Sequence, residues 1–227
     1  MSENLNQPLV EVKNLKEYFN INVGMFKSKP LKAVDDVSFA IKKGETLGLV
    51  GESGCGKTTV GRTLLHLYKP TGGEIVYNGK AIKTKEDINE FRKKATMVFQ
   101  DPYSSLNPSF TIYQSLADPL KHFGVTNKKN QRALIADILE AVNMRPEYMD
   151  RYPHEFSGGM KRRVAILRAI LAPSEIILMD EPFTGLDADT RQLTIDMVKE
   201  FCAGKLLIIA THSEDAAELL GAKIIHL

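Results

Sequence analysis

Tryptophan is absent from the 227 residues, and cysteine occurs only twice, at Cys55 and Cys202. Two thiols cannot supply the disulfide framework of a small secreted domain, and their spacing holds no structural metal. No apolar run approaches the ~18 residues that would cross a bilayer. The polar start, Met1 to Gln7, lacks the charged and apolar regions of a signal peptide. The chain is therefore expected to stay in the cytosol unless something else holds it at a membrane. A formal net charge of only +2 argues for no polyanionic partner, nucleic acid included. Internal repeats and low-complexity stretches are missing too. The length suits one large domain or two small ones, with ample material for a core.

The most informative segment is Gly51-Glu52-Ser53-Gly54-Cys55-Gly56-Lys57-Thr58-Thr59, which has the G-x-x-x-x-G-K-[ST] pattern of a phosphate-binding loop. Gly51, Gly54 and Gly56 let the backbone curl so that successive N–H groups point inward and cradle phosphates at the start of a helix. Lys57 adds a cation that can reach the β and γ oxygens, and the Thr58 hydroxyl can join a Mg²⁺ shell. The bare pattern should arise by chance in roughly one chain in a hundred of this length, so its context decides. Thr46 to Val50 is a short apolar strand, and Thr58 to Leu67 has helical apolar spacing. Cys55 lies near the predicted helix start. It is either a thiol whose modification blocks nucleotide binding or a small residue that merely fits the loop.

Two further elements carry chemistry. Ile176 to Pro182 reads I-I-L-M-D-E-P. The apolar run before the acids predicts a strand buried on both faces, which delivers Asp180 and Glu181 to the edge where the phosphate loop lies. Asp180 is then placed to hold Mg²⁺ through water, and Glu181 to polarise an attacking water. Phe156-Ser157-Gly158-Gly159-Met160, followed by a predicted helix from Lys161 to Leu171, forms another anion site with free backbone N–H groups and a hydroxyl. One nucleotide does not need two such loops in one chain. The second is therefore expected to face a nucleotide held by another subunit, although S-G-G read alone is only a flexible helix cap.

Extended apolar segments fall at Leu9 to Leu15, Ala33 to Ile41, Thr46 to Val50, Gly73 to Tyr77, Thr96 to Phe99, Ile176 to Asp180, Leu206 to Ala210 and Lys223 to Leu227. Helical spacing marks Ile112 to Phe123, Asn130 to Val142 and Gly158 to Leu171. An α/β core is expected, interrupted by a mostly helical insertion from Asp101 to Leu171. Phe26 to Pro30 and Thr126 to Gln131 read as exposed loops with solvated lysines.

Taken in order, Gly51 to Thr58, Gln100 after an apolar strand, S-G-G before a basic helix, I-I-L-M-D-E-P, Leu186-Asp187, and His212 after L-L-I-I-A-T resemble an ABC-type ATPase over nearly the whole chain. Within that family, the segments Ala33 to Phe39, Phe99 to Pro108 and Tyr152 to Phe156 resemble the branch that energises import of dipeptides, oligopeptides, nickel and metallophores. The resemblance implies an α/β P-loop NTPase (RecA-like) core with N-terminal antiparallel β strands and an inserted helical subdomain. It implies one domain over residues 1–227, the core being 1–100 and 172–227 and the helical part 101–171.

Roles follow residue by residue from the same resemblance. Gly51 to Thr59 would cradle ATP, with Lys57 on phosphate. Thr58 and Gln100 would attend Mg²⁺ and the attacking water, Asp180 would support the metal, Glu181 would be the catalytic base, and His212 would contact the γ-phosphate. Ser157, Gly158, Gly159 and Met160 form the signature that would reach that phosphate from the opposing subunit, and Asp187 would communicate between the two sites. An aromatic residue upstream of the loop would stack on adenine, Phe19 fitting best and Tyr18 being the alternative. Two chains would close head to tail over two ATP molecules. The helical insertion, with Tyr103 to Pro108 near Gln100, would touch a membrane permease. The implied partners are transmembrane permease subunits, a second ATPase subunit that is either identical or a sister, and indirectly an external solute-binding protein, at the cytoplasmic face of the cell membrane.

The sequence departs from the pattern in places. Met160 stands where glutamine is usual, Thr184-Gly185 replace Ser-Ala, and Ser213-Glu214 follow His212 where an aspartate is common. None of these removes a catalytic group. The chain stops at Leu227, soon after its last predicted strand, where the peptide branch usually continues; a compact subunit and an incomplete one both fit. A soluble ABC protein of DNA repair or of ribosomes would share the ATPase motifs but usually carries duplicated domains, a zinc module or coiled coils. A small-molecule or nucleotide kinase would not need S-G-G and M-D-E-P at this spacing. Intact Lys57, Asp180, Glu181 and His212 argue against an inactive relative. The reading is an ATP-hydrolysing importer subunit, with a soluble ATPase or another transporter class as the alternatives.

Overall fold

The structure, a computed structural model, describes residues 7–24, 27–101 and 105–227. In chain order the elements are β1 (Val10–Gly24), β2 (Lys27–Ile41), β3 (Thr46–Val50), α1 (Lys57–Leu64), β4 (Gly72–Tyr77), β5 (Lys80–Ala81), α2 (Lys85–Lys94), β6 (Ala95–Val98), α3 (Ile112–His122), α4 (Lys128–Ala141), α5 (Gly158–Ile170), β7 (Ile176–Asp180), α6 (Ala188–Phe201), β8 (Leu206–Thr211), α7 (Glu214–Leu219) and β9 (Lys223–His226). Two 3-10 turns, Pro146–Asp150 and Pro153–Glu155, precede α5. Among the described residues no helix is long and apolar enough to cross a membrane.

Two sheets form. An antiparallel one has the order β2-β1-β4-β5, and a parallel one the order β6-β7-β8-β3-β9. Alternating apolar residues in β1 bury Val10, Val12 and Leu15. The change from even to odd numbering is absorbed by a register shift between Val12 and Leu15, where Asn14 adopts φ 48°. The inner parallel strands β7, β8 and β3 have no solvated face, so their sequences run as nearly continuous apolar stretches, whereas the edge strand β9 keeps Lys223 and His226 exposed. All five residues of β7 are buried.

Alternate side chains of that sheet feed two separate cores. Ile177 and Met179 of β7, with Leu207 and Ile209 of β8, join Leu116, Ile135, Leu139, Val164, Ile166 and Val198 from α3, α4, α5 and α6. Ile176 and Leu178, with Leu206 and Ile208, join Val60 and Leu64 of α1, Phe91 of α2, and Val10, Leu15 and Ile75 of the antiparallel sheet. Burying each such side chain fully is worth about 1.5–3 kcal/mol, so β7 and β8 contribute to both bodies at once.

The register of the parallel strands brings the chemistry together. Val50 pairs with Thr211, and Asp180 pairs with Ala210. The residues that leave these three strands, Gly51, Glu181 and His212, therefore emerge side by side at one sheet edge, as open parallel sheets favour for ligand sites.

Several local expectations change. Lys27 to Pro30 belong to β2 rather than to an exposed loop, because the hairpin pairing continues through Asn20–Pro30 and Asn22–Ser28. Lys128 to Gln131 open α4 rather than a loop, since the Asn127 side chain accepts from the amides of Lys129 and Asn130 and caps the helix. Gln131 is buried, its amide donating to the Val125 carbonyl at 2.7 Å. Helix α1 ends at Leu64, three residues earlier than its apolar spacing predicts, and α2, α6, α7 and β5 were not anticipated. Phe26, and Tyr103 with Ser104 of the segment expected near Gln100, lie outside the described residues.

Candidate functional site

The loop between β3 and α1 is bent by glycines in the left-handed region, Gly54 at φ 90° and Gly56 at φ 105°. A Cβ on Gly56 would stand 2.3 Å from the Ala33 carbonyl oxygen of β2, so only glycine fits where β2 presses on the loop. Lys57 is the first residue of α1 and is buried, 6 % exposed. Its ammonium donates to the carbonyls of Gly51 and Glu52, both at 2.7 Å, and lies 3.6 Å from Cys55 Sγ. Main-chain carbonyls hold this cation, and phosphate oxygens can replace them with gain of charge pairing.

Thr58 and Asp180 meet at the next turn. The Thr58 hydroxyl donates to Asp180 Oδ1 at 3.0 Å. Asp180 is 1 % exposed, and its Oδ2 is buried with no hydrogen-bond partner. Burial holds its pKa above the ordinary carboxylate value, against the opposing Thr58 hydrogen bond. Among the described residues no three His, Cys, Asp or Glu side chains form a self-sufficient metal site. A threonine hydroxyl beside an orphaned carboxylate oxygen instead suits Mg²⁺, which takes one or two protein oxygens and completes its shell with phosphates and water. The donor set therefore fits that ion.

Glu181 leaves β7 with φ 48°, outside the regions that non-glycine residues prefer. Such a conformation costs on the order of 1–3 kcal/mol and persists where its surroundings fix it. Here the Glu181 amide donates to the Ala210 carbonyl at 2.8 Å. The side chain is held as well: Oε2 accepts from the Thr184 hydroxyl at 3.0 Å and lies 2.8 Å from His212 Nδ1. The Glu181 side chain is 11 % exposed and the His212 ring 59 %. The pair thus places a sheltered carboxylate against an accessible imidazole, an arrangement able to take a proton from water.

One cleft of about 290 Å³ is lined by Phe19, Leu31 and Ala33, by Ser53, Gly54, Gly56, Lys57, Thr58 and Thr59, and by Gln100 and Glu181. Phe19 lies edge-on to Tyr68 at 5.3 Å. Tyr18 is engaged elsewhere, its hydroxyl donating to Asp35 and its ring under Lys32, so Phe19 rather than Tyr18 forms the aromatic wall. Leu31 is a cleft residue that sequence reasoning missed. The signal that could have found it is the hairpin register, which sets Leu31 opposite Phe19.

The Ser157 to Gly159 segment lines a different depression, of about 430 Å³, with Arg162, Arg163, Gly185, Leu186, Asp187 and Thr190. Ser157 caps α5, its Oγ accepting from the Met160 amide at 3.3 Å. Met160 packs against the helical-side core. Asp187 caps α6, its Oδ1 accepting from the Thr190 amide at 3.0 Å, and that hydrogen bond lowers its pKa. The structure thus gathers Phe19, Gly54, Gly56, Lys57, Thr58, Gln100 and Glu181 around one cleft, with Asp180 and His212 bonded to them. It does not bring Ser157, Gly158, Gly159, Met160 or Asp187 there. Thr184, noticed in the sequence only as a departure, turns out to hold Glu181.

A family profile described as ABC transporter matches residues 34–184. The oligopeptide transport ATP-binding protein OppF of Bacillus subtilis is 43% identical over 200 residues, which span 86% of this chain and 64% of OppF. The dipeptide transport ATP-binding protein DppF of Escherichia coli is 39% identical over 199 residues, 86% of this chain and 60% of DppF. The chain thus spans about three fifths of the length of these relatives. Among solved structures, the ATP-binding cassette MJ0796, a dimer in a post-hydrolysis state bound to ADP and Pi, superimposes with a TM-score of 0.81 at 27% identity, covering 96% of this chain and 94% of that one.

Proposed function

Because the chain belongs to the ABC transporter family and has the α/β fold of its ATP-binding cassettes, we propose that it binds and hydrolyses ATP as the motor subunit of an importer. The observation that carries this reading is the single cleft that joins Lys57, Thr58, Gln100 and Glu181 to the apolar wall of Phe19. Lys57 exchanges the Gly51 and Glu52 carbonyls for phosphate oxygens, and loop amides at the start of α1 bind the rest of the triphosphate. Phe19 stacks on adenine. Thr58 and Asp180 would hold Mg²⁺, whose charge would offset the charge that develops on the transferring phosphoryl group. Gln100 orients the water, and Glu181, steadied by Thr184 and His212, accepts its proton.

The separate depression bearing Ser157 to Gly159 supports a head-to-tail pairing. These amides and the hydroxyl have no part in the cleft of their own chain, so they are free to serve a nucleotide bound to a second subunit, identical or sister. Asp187, in the same depression, relays between the two sites. Residues 1–227 act as one ATP-binding unit, and the helical part, residues 101–171, meets the permease at the cytoplasmic membrane face. Relatives named for oligopeptide and dipeptide transport favour a peptide as the solute over nickel or a metallophore. The permease and an external solute-binding protein would handle that solute.

The test is ATP hydrolysis by the purified chain and by Glu181→Gln, with light scattering to follow monomer and dimer. Wild-type activity rising with the square of protein concentration, and a mutant that binds ATP, traps a dimer and does not turn over, is the expected result. A Glu181→Gln protein working near the wild-type rate removes Glu181 as base. A wild-type chain that binds no ATP overturns the function. Binding without turnover or dimer points to an obligatory sister subunit.

A further inference from the structure

Arg162 stands one turn along α5 from Gly158 and reaches away from that helix. Its Nη2 donates to the Gln100 carbonyl at 3.1 Å. Its Nη1 lies 3.6 Å from where a Cβ on Gly185 would stand, in the loop that leads from Glu181 to Asp187. Its Nε is buried with no hydrogen-bond partner. Burial lowers the guanidinium pKa, and the negative charges of Glu181 and Asp101 oppose that effect. From the helix capped by Ser157, one planar side chain therefore bonds the main chain of Gln100 and faces Gly185 of the loop after β7 across a shared depression, while standing in the field of the Glu181 carboxylate.

We propose that Arg162 is a positioning residue for hydrolysis. It fixes Gln100 relative to Glu181 and passes displacement of the Ser157–Gly159 end of α5 to both. A helix turn is stiff, rising about 1.5 Å per residue, so a pull on Gly159 moves the Arg162 stem with it. The guanidinium fork then carries the Gln100 carbonyl along. A phosphate engaged at Ser157–Gly159 in one half of a dimer would in this way set the water-orienting group in the other half, since Gln100 and Glu181 line the nucleotide cleft of the chain whose α5 is being held. The inference rests on the ATPase reading above.

The experiment compares wild type, Arg162→Met and Arg162→Lys for kcat and KM of ATP hydrolysis, with nucleotide affinity and thermal unfolding measured alongside. Methionine keeps the apolar stem packing, so the fold is retained. The expected result for Arg162→Met is a kcat lower by about tenfold, the scale of one charge-assisted hydrogen bond, with KM changed by less than about twofold. Arg162→Lys, which keeps the charge but not the fork, recovers part of the rate. In a Glu181→Gln background Arg162→Met still traps the ATP-bound dimer. The proposal is overturned if Arg162→Met retains kcat within about twofold of an active wild type. It is equally overturned if KM rises as far as kcat falls while lysine does no better than methionine, because that is the pattern of a merely structural residue. An inactive wild type would defeat the ATPase reading itself and this inference with it.

Discussion

Asp180→Asn is expected to stabilise the ligand-free protein at neutral pH and to abolish its stabilisation by ATP. Asp180 is 1 % exposed and only Oδ1 is bonded, to Thr58. Leaving a buried acceptor such as Oδ2 unsatisfied costs about 1–3 kcal/mol. Asparagine keeps the shape and can still accept from Thr58, but it removes the charge; its own amide donors offset part of the gain, leaving about 1 kcal/mol. For a protein of this size that is a rise in Tm of about 2–4 °C. The pH dependence has a definite sign. Burial raises the folded-state pKa above the ordinary value of 3.8, so the folded protein retains a proton that the unfolded chain releases. Wild-type stability relative to the variant therefore falls as pH climbs through that window, and the two coincide below it. With Mg²⁺ and ATP at a hundred times Kd, the wild type should gain about 2.7 kcal/mol and the variant almost nothing. Scanning calorimetry from acid to neutral pH, with and without nucleotide, measures both effects. A variant that unfolds below wild type at neutral pH without nucleotide, or that responds equally to Mg²⁺ and ATP, refutes the reasoning.

Three other predictions follow from single contacts. Gly56→Ala places a Cβ 2.3 Å from the Ala33 carbonyl at φ 105°, so urea unfolding should show a loss of about 1–3 kcal/mol and nucleotide binding should weaken with it. Thr184→Val removes the 3.0 Å hydrogen bond to Glu181 Oε2; kcat should fall about three- to tenfold at constant KM, with Thr184→Ser near wild type, and an unchanged valine variant would release Thr184 from the role proposed for it in placing Glu181. Burial and Glu175 push the Tyr77 phenol from its ordinary 10.0 up to about 12. Wild type should therefore lose stability relative to Tyr77→Phe as pH rises between those two values, and near-ultraviolet titration should show a late-ionising tyrosine in wild type that Tyr77→Phe lacks.

The strands were legible where their side chains meet a core. β7 and β3 are read directly from I-I-L-M-D and T-L-G-L-V because both faces are buried. The outer halves of β1 and β2 went unread although Phe19-Asn20-Ile21-Asn22-Val23 alternates apolar and polar, because these residues pair beyond the end of β4 and leave Ile21 and Leu31 exposed rather than in a core. Helix α2, with Phe91 as its buried side chain, carries too little apolar signal to show a period. Its capping box, in which Thr84 and Asp87 bond each other's backbone amides, was nonetheless present in the sequence as a start signal. Helix α6 was hidden by Asp187, which the family resemblance placed in subunit communication while its side chain also caps the helix. Residue types at motif spacing sufficed to expect Lys57, Thr58, Asp180 and Glu181 beside one another. The partners that fix Glu181 and Gln100, namely Thr184 and Arg162, depend on loop geometry that spacing does not encode.

The division of alternate β7 side chains between two cores also bears on hydrogen exchange. An amide in β7 can open to solvent by global unfolding or by loss of packing on both faces together, whereas amides of α3 or β1 need only one body to loosen. The same holds for β8, so deuterium should enter β7 and β8 last. Asp180 and Glu181, at the end of β7, and His212, just after β8, would then be anchored to the slowest-exchanging pair of strands, while the elements around them breathe.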